Sequence, residues 1–258
     1  MTSSVGIVVP TLGRRPEYLR QCLDSIKKAG PAHVCLVAPK GFDPQPYLDD
    51  GLVNQFVLDE GNGLAAAINS GVSALPEEVA LINWLCDDDL LTETSITRAA
   101  KALGEDNKIA IVFGSCDYVD SSGDQIWTNR SGQWAVPLLH VGPDLIPQPG
   151  GLIRRSFFEK VGGLDTKYSW AFDFDLYLRL KKIGRLVFLD GTLSRFRWHP
   201  DSLSVGQRQK SVAEASDVRV SHLPRFLRVA SPVWEVPVKI GTLVAGIALS
   251  KKAKRRTL

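Results

Sequence analysis

The first 115 residues alternate short apolar runs rich in β-branched residues with segments of helical periodicity. The runs that predict buried strands are "VGIVVP" (5–10), "HVCLVAPKG" (33–41), "VALINWL" (79–85) and "KIAIVFG" (108–114). The segments between them that predict helices are 18–29, 61–76 and 92–106, the last with Thr92 as N-cap and Gly104 as its end. Short connections of this kind require a parallel sheet with helices on both faces. We therefore predict an α/β fold with a mostly parallel central sheet.

Three consecutive carboxylates, Asp87, Asp88 and Asp89, follow the third predicted strand directly. Open α/β sheets bind ligands outside the carboxyl ends of their strands, and the loop "PTLGR" after the first strand lies at the same edge. Adjacent carboxylates repel one another, and hard divalent cations such as Mg²⁺ and Mn²⁺ prefer oxygen ligands. The triplet thus predicts a metal site, with a solvated acidic loop at a helix start as the alternative.

The second half of the chain has a different pattern. "SCDYVDSSGDQIWTN" predicts two short strands around a turn, and residues 133–153 lack a clear period, which is typical of substrate-binding loops. A short helix over 156–163, a longer helix over 171–184 and a strand over 185–191 follow. No internal repeat is present.

Five stretches together resemble, in order, the inverting glycosyltransferases of family two, which have the GT-A fold. They cover residues 5 to about 205. The stretches are "IVVPTLGRRPEYLRQCLDSI", "GNGLAAAINSGV", "NWLCDDDLL", "PQPGGLIRRSFFEKVGGLDTKYSWAFDFDLYLRL" and "RFRWHPDSLS". The resemblance implies a GT-A type sheet and transfer of a sugar from a nucleotide-diphospho-sugar, UDP- or dTDP-linked, to a glycan acceptor hydroxyl by single displacement. It also implies a divalent metal, Mn²⁺ or Mg²⁺. The polyprenyl-linked acceptor and a place in cell-envelope or polysaccharide synthesis are hypotheses that rest on surface attachment of the C-terminal segment.

The resemblance also implies roles for particular residues. Asp173 matches the catalytic base, with Asp175 as the alternative. The positions that match nucleotide-sugar contacts are Pro10, Thr11, Arg14, Asn69, Asp87 and Asp88. Those that match metal ligands are Asp87, Asp89 and His199, while another register places Cys86 first and makes Asp88 the chief ligand. Those that match the acceptor or donor sugar site are Gly150, Gly151 and Trp170. Arg195 and Arg197 are further candidates for phosphate contacts.

This sequence departs from the family pattern at three places. They concern the identity of the donor nucleotide and the polarity of the site beside the base. "LVAPKGFD", after the second strand, has no carboxylate before Asp43, where the family often has an acidic pair that contacts the nucleoside. The arginine usual before Asn69 is absent, and Phe172 stands where the family usually has glutamate before the base.

The C-terminal segment combines an apolar stretch with the basic end "KKAKRRTL", which holds much of the positive charge in a chain whose net charge is +3. Because the uninterrupted apolar run "IGTLVAGIAL" is short for a bilayer, we expect surface attachment, with a packing helix and a disordered basic tail as the alternative. We predict a catalytic domain over 1–228, divided into a nucleotide-sugar half (1–115) and an acceptor half (116–228), and an amphipathic basic tail over 229–258.

The remaining features bear on location and on competing functions. Four widely spaced cysteines and an N-terminus without a leader pattern favour the cytoplasm, with peripheral attachment to the cytoplasmic face of the membrane. No basic groove with interleaved aromatic residues predicts nucleic-acid binding. A sugar nucleotidylyltransferase would need a glycine-rich loop after the first strand, and "PTLGRRPE" has one glycine. A catalytically silent nucleotide-sugar or glycan-binding protein is the other alternative.

Overall fold

A computed structural model of the chain describes residues 4–198 and 206–254. The strands, in chain order, are β1 (Ser4–Pro10), β2 (His33–Pro39), β3 (Gln55–Asp59), β4 (Val79–Trp84), β5 (Leu90–Leu91), β6 (Ile109–Val119), β7 (Gln125–Asn129), β8 (Leu152–Arg154) and β9 (Arg185–Arg197). The helices are α1 (Pro16–Ala29), α2 (Gln45–Asp49), α3 (Leu64–Ala74), α4 (Ser95–Glu105), α5 (Ala135–Leu138), α6 (Arg155–Lys160), α7 (Phe172–Lys181), α8 (Arg208–His222), α9 (Arg225–Arg228) and α10 (Pro232–Lys254).

The described strands form one sheet in the order β3-β2-β1-β4-β8-β6-β9-β5, and β7 pairs with β6. The N-terminal strands β2, β1 and β4 are parallel to one another, as predicted for alternating strands and helices, and β3, which is not among the predicted strands, pairs in parallel with β2. The short strand β8 lies antiparallel between β4 and β6, and β5 and β7 are also antiparallel to their partners. The sheet is therefore parallel in its first half and mixed in its second half.

Strands β6 and β9 are longer than the sequence pattern indicates. They pair in parallel from Ile109 opposite Arg185 to Val119 opposite Arg197. The predicted strand over 108–114 and the first strand of the predicted hairpin are consequently one element, and the predicted strand over 185–191 continues for six more residues. Backbone pairing between two neighbours extends both strands past their apolar runs, because each supplies the other's hydrogen-bond partners.

The predicted start and end of the third helical segment, which corresponds to α4, are wrong by one or two residues. The N-cap of α4 is Thr94, in the left-handed region at φ 58°, and not Thr92. Thr92 pairs with β9 instead, since its backbone N–H and its hydroxyl donate to the carbonyls of Leu193 and Thr192. Gly104 lies inside α4.

Helices cover both faces of the sheet. Helices α1 and α4 enclose one apolar core against β1 and β2, and α3 and α7 enclose another on the opposite face. The small residues of α3 allow close contact with the sheet: a Cβ at Gly71 would lie 2.5 Å from Val8 Cγ1 and 2.9 Å from Val37 Cγ2. This packing places the carboxyl ends of β1 and β4 side by side.

The C-terminal helix α10 is longer than its uninterrupted apolar run. By length and composition alone, Pro232–Ala253 could cross a membrane, and 11% of its most apolar window is buried in the protein. The helix is thus longer than the uninterrupted run on which the expectation of surface attachment rests, and that attachment stays a prediction. Glu235 interrupts the apolar pattern in the sequence, but its side chain is buried against Arg219 of α8 and does not end the helix.

Candidate active site

The loop after β1 contacts the acidic turn after β4. Thr11 is buried, and its hydroxyl donates a hydrogen bond to the Asp87 carboxylate and accepts one of 2.9 Å from the Gly13 backbone N–H. The Thr11 backbone N–H in turn donates to the Val37 carbonyl at the end of β2. Gly13 has φ +70°, and a Cβ there would lie 2.7 Å from the Phe42 ring. The two strand-end loops expected to converge therefore meet at Thr11 and Asp87.

A second contact joins the same two loops. The guanidinium of Arg15 lies 3.5 Å from the Asp88 carboxylate, and both side chains are mostly buried. Arg14, the residue matched to the nucleotide loop by resemblance, is exposed at the surface. The arginine that contacts the acidic turn is thus the neighbour of the one assigned from the sequence.

Arg197, at the end of β9, holds the acidic turn from the other side. Its backbone N–H donates to the Asp89 carboxylate at 3.0 Å, and its Nε donates to the Asp88 carbonyl at 3.0 Å. The same guanidinium donates to Gln21 and Ser121 and lies over the Tyr18 ring. These contacts are to the protein, so Arg197 orders the turn. Arg195 lines a separate cavity of about 620 Å³ between α1, β5 and β9.

The acidic turn offers a candidate metal site. One ligand atom from each of Cys86, Asp88 and Asp89 lies within 4.8 Å of the other two. Burial raises the pKa of Asp89 well above its usual range, and the neighbouring charge of Asp88 adds to this effect. Burial also raises the pKa of the Cys86 thiol, which leaves the two carboxylates as the ligands suited to a hard cation. A cation bound there would displace the proton from Asp89.

One of the residues matched to metal ligands stands apart from this cluster. Asp87 does not belong to it, and its carboxylate accepts the Thr11 hydroxyl hydrogen bond instead. His199 lies outside the described residues.

Asp173 stands in the first turn of α7. The ring of the preceding residue, Phe172, lies 6.3 Å from the ring of Trp84, which ends β4 just before the acidic turn. The Asp173 carboxylate accepts the Phe174 backbone N–H at 2.8 Å. Burial raises its pKa to about 6. A carboxyl group with a pKa close to neutral suits general base catalysis near pH 7.

The alternative base, Asp175, is already engaged by other side chains. Its carboxylate lies 2.7 Å from the Arg179 guanidinium and 2.8 Å from His222 Nε2, and it is buried. Although burial acts against its charged form, the hydrogen bonds from His222 and Arg179 lower its pKa. Asp175 thus joins α7 to α8 and carries a stable negative charge.

Asp144 is a candidate site residue that sequence reasoning missed. Burial, followed by the nearby charge of Asp173, raises its pKa well above the usual range. Its carboxylate accepts the Ile146 backbone N–H at 3.1 Å. The residue lies in the aperiodic stretch 133–153, where the sequence offers no pattern that would place it beside Asp173.

Asn69, Gly150 and Gly151 all have contacts within the protein that give them a structural role. The Asn69 amide donates to the Leu164 carbonyl at 2.8 Å and accepts the Leu164 N–H at 2.9 Å, so it anchors the "GGLD" turn to α3. A Cβ at Gly150 would lie 2.8 Å from Leu193 Cβ, and one at Gly151 would lie 3.2 Å from Ile111 Cδ1. The glycines permit close approach of the loop to the sheet.

Two further positions matched to ligand contacts lie at the edges of this region. Pro10 ends β1, immediately before Thr11. Trp170 is partly buried just before α7, and its ring lies 5.8 Å from the Lys210 ammonium of α8. Its buried indole N–H has no hydrogen-bond partner among the described residues.

Comparison with curated proteins finds several glycosyltransferases. An uncharacterized glycosyltransferase of Rickettsia typhi is 26% identical over 209 residues, which are 76% of this chain and 64% of that protein. Another, from Rickettsia felis, is 21% identical over 211 residues, which are 76% of this chain and 34% of that protein. The chain thus spans between about a third and two thirds of the length of these relatives. No family model matches the chain.

Comparison with solved structures shows the fold. TarS of S. aureus in complex with UDP-GlcNAc superposes with a TM-score of 0.64 at 12% identity, over 87% of this chain and 69% of that chain. The mannosyltransferase PcManGT of Pyrobaculum calidifontis, in complex with GDP-Man and Mn²⁺, superposes with a TM-score of 0.62 at 16% identity, over 95% of this chain and 75% of that chain. The chain has the GT-A glycosyltransferase fold and is related in sequence to proteins named glycosyltransferases, which confirms the resemblance carried by its motifs.

Proposed function

We propose that the protein transfers a sugar from a nucleotide-diphospho-sugar to an acceptor hydroxyl by a metal-dependent single displacement that inverts the anomeric carbon. The observation that carries this proposal is the contact between the loop after β1 and the acidic turn, through Thr11 with Asp87 and Arg15 with Asp88. These contacts join a cluster of carboxylates to the edge of the sheet where nucleotides bind in α/β folds. The UDP-GlcNAc and GDP-Man complexes of the structural neighbours support the same donor class.

The acidic turn and Asp173 have different tasks in this proposal. Asp88 and Asp89 would hold a divalent cation, which supplies positive charge to the leaving nucleotide diphosphate. Asp173 would take the proton of the acceptor hydroxyl as that oxygen attacks the anomeric carbon. Because the pKa of Asp173 is raised to about 6, its carboxylate form prevails above that pH and is basic enough to accept the proton.

Calorimetry tests the part of the proposal that concerns the nucleotide and the metal. UDP, dTDP and GDP are titrated into the full chain with and without Mn²⁺, and into the Asp88→Asn/Asp89→Asn variant. Asparagine at position 89 can still accept the Arg197 N–H, so the turn is retained. The matched control is Glu77→Gln/Glu78→Gln, which removes the same charge at two exposed positions.

We expect one nucleotide to bind in the presence of Mn²⁺, with affinity at least 10-fold lower in the aspartate variant and unchanged in the control. Binding of that nucleotide with equal affinity to the wild type and to the aspartate variant would contradict the metal assignment. No binding of any nucleotide would contradict the proposed donor class.

The part of the proposal that concerns the acceptor rests on the exposed face of α10. Its large exposed apolar side chains recur at helical spacing: Val233, Val236, Ile240, Val244 and Ile247. The opposite face carries Glu235, which is buried against α8 through Arg219, and the exposed Lys251 and Lys252 lie near the helix end. An apolar stripe beside basic residues fits the surface of an anionic membrane. A helix placed there would keep the protein on the cytoplasmic face, where a lipid-linked acceptor would be available.

Vesicle flotation tests this attachment. The full chain is mixed with vesicles of phosphatidylcholine alone or with added phosphatidylglycerol, beside a Val236→Ser/Ile240→Ser/Val244→Ser variant. We expect the wild type to float with the anionic vesicles and the variant to bind at least 10-fold more weakly. Equal flotation of the two proteins would exclude the stripe as the membrane contact.

A further inference from the structure

A single carboxylate of α8 holds the backbone that leads into α7. Glu214 Oε1 accepts the backbone N–H groups of Trp170 at 2.6 Å and Ala171 at 2.7 Å, and its Oε2 accepts that of Ser169 at 3.1 Å. Hydrogen bonds to a charged acceptor are about twice as strong as neutral ones. The N-cap residue of α7 is Ala171, whose side chain cannot cap a helix. Glu214 therefore orders this approach from more than forty residues along the chain.

These three N–H groups immediately precede Asp173. Phe172 and Asp173 are the first two residues of α7, so a shift of residues 169–171 would move the Asp173 carboxylate directly. We propose that Glu214 is a positioning residue for Asp173, acting through the backbone of residues 169–171. This inference rests on the proposed function, in which Asp173 is the general base.

Helix α8 is itself held firmly enough for this role. Its His222 lies 2.8 Å from Asp175 of α7, and its Arg219 donates to Glu235 of α10 at 2.6 Å and 2.7 Å. Glu214 lies on the same helix, two turns before His222. The anchor of residues 169–171 therefore lies on a helix that is joined to both α7 and α10.

The charge of Glu214 also acts on Asp173. The titratable groups that face Asp173 are Glu214 of α8, Asp144 of the loop before β8 and Tyr177 of α7 itself. Burial is the main reason for the raised pKa of Asp173, and the negative charge of Glu214 raises it further. Removing that charge should lower the pKa of Asp173, which a purely structural contact would not do.

The test compares Glu214→Gln and Glu214→Ala with Asp217→Asn, which removes an exposed carboxylate from the same helix. Amide hydrogen exchange is measured by NMR at residues 169–171, and the Asp173 carboxyl is titrated with ¹³C-labelled aspartate and assigned with Asp173→Asn. We expect exchange at these amides to be at least 10-fold faster in Glu214→Ala and the pKa of Asp173 to fall in Glu214→Gln. Asp217→Asn should match the wild type in both.

The outcomes separate this inference from the proposed function. Unchanged exchange at 169–171 together with an unchanged Asp173 titration in both Glu214 variants would overturn the role of Glu214, whatever the activity. On a donor that the wild type turns over, Glu214→Ala should lower kcat about 10- to 100-fold with little change in the donor KM. If instead Asp173→Asn keeps full turnover, the base assignment fails while the two NMR measurements still report on Glu214.

Discussion

The buried ion pair between α8 and α10 allows a stability prediction with a magnitude. The Glu235 carboxylate accepts two hydrogen bonds from Arg219 at 2.6 Å and 2.7 Å and one from Ser216 at 2.6 Å. The side chains of Arg219 and Glu235 are only 2% and 6% exposed. Glu235→Gln keeps the shape but leaves the guanidinium buried opposite a neutral group. Removing one partner of a buried pair costs about 3–5 kcal/mol, and because glutamine can still accept one hydrogen bond we expect about 3 kcal/mol.

The assay is urea unfolding at pH 7, followed by tryptophan fluorescence and circular dichroism. With a denaturant slope of about 3 kcal/mol/M, the midpoint of the variant should lie about 1 M below that of the wild type. Burial opposes ionisation of Glu235, but hydrogen bonds from Arg219 and Ser216 outweigh it and lower its pKa. Since the folded pKa is below the ordinary value of 4.5, the stabilisation is complete above that pH and is lost as the pH falls further. The gap between the two proteins should therefore narrow in acid.

The matched control is Arg219→Met/Glu235→Leu, which replaces both charges by apolar groups. Apolar replacement of a whole buried pair is often close to neutral, so the double variant should recover at least half of the lost stability. A Glu235→Gln cost below about 1 kcal/mol, or a double variant no more stable than the single one, would refute the packing of α10 on α8 described above.

Three further predictions concern the core and the site. Asp173→Asn should be more stable than the wild type at pH 8 by up to about 3 kcal/mol and nearly equal to it at about pH 3, because the folded pKa of about 6 exceeds the ordinary 3.8. Thermal unfolding at both pH values measures this difference. Thr11→Val should cost about 1–3 kcal/mol in urea unfolding, since it removes the hydroxyl hydrogen bond to Asp87. Gly71→Ala should cost about 1–3 kcal/mol because its Cβ would lie 2.5 Å from a β1 side chain. Gly241→Ala, where no described atom lies within 4 Å of that Cβ, should be neutral or slightly stabilising in the same assay.

Three strands in the first half of the fold could be predicted because their signals are local, whereas β3 and α2 were not predicted. Strands β1, β2 and β4 are buried on both faces, so each is a continuous apolar run that the sequence shows directly. Strands β5 and β8 have two and three residues, too few for any period to appear, and both were missed. Because β8 is the strand that lies antiparallel between β4 and β6, the mixed half of the sheet could not be predicted either.

The residues of the candidate site also fall into those that a local sequence signal could predict and those that it could not. Thr11 and Asp87 follow predicted strands directly, and the rule that strand ends converge was enough to bring them together. Asp144 lies near Asp173 because of the course of the loop before β8, and Glu214 lies near it because α8 packs against α7. Both arrangements are set by tertiary packing and not by a local sequence pattern. Glu214 carries no sequence signal, because a glutamate on a helix is usually solvated.

The presence of Glu235 in α10 contains more information about the helix than the number of its apolar residues does. A lone carboxylate in an apolar helix must find a cationic partner when it is buried, because an unpaired buried charge costs several kcal/mol. The partner, Arg219, lies on the preceding long helix, α8, and also donates to the Gly142 carbonyl at 2.8 Å. If the whole of Pro232–Ala253 entered a bilayer, either Glu235 would lie in hydrocarbon or Arg219 would remain buried without its partner. The ion pair therefore favours a helix that lies along the protein, as the proposed surface attachment requires.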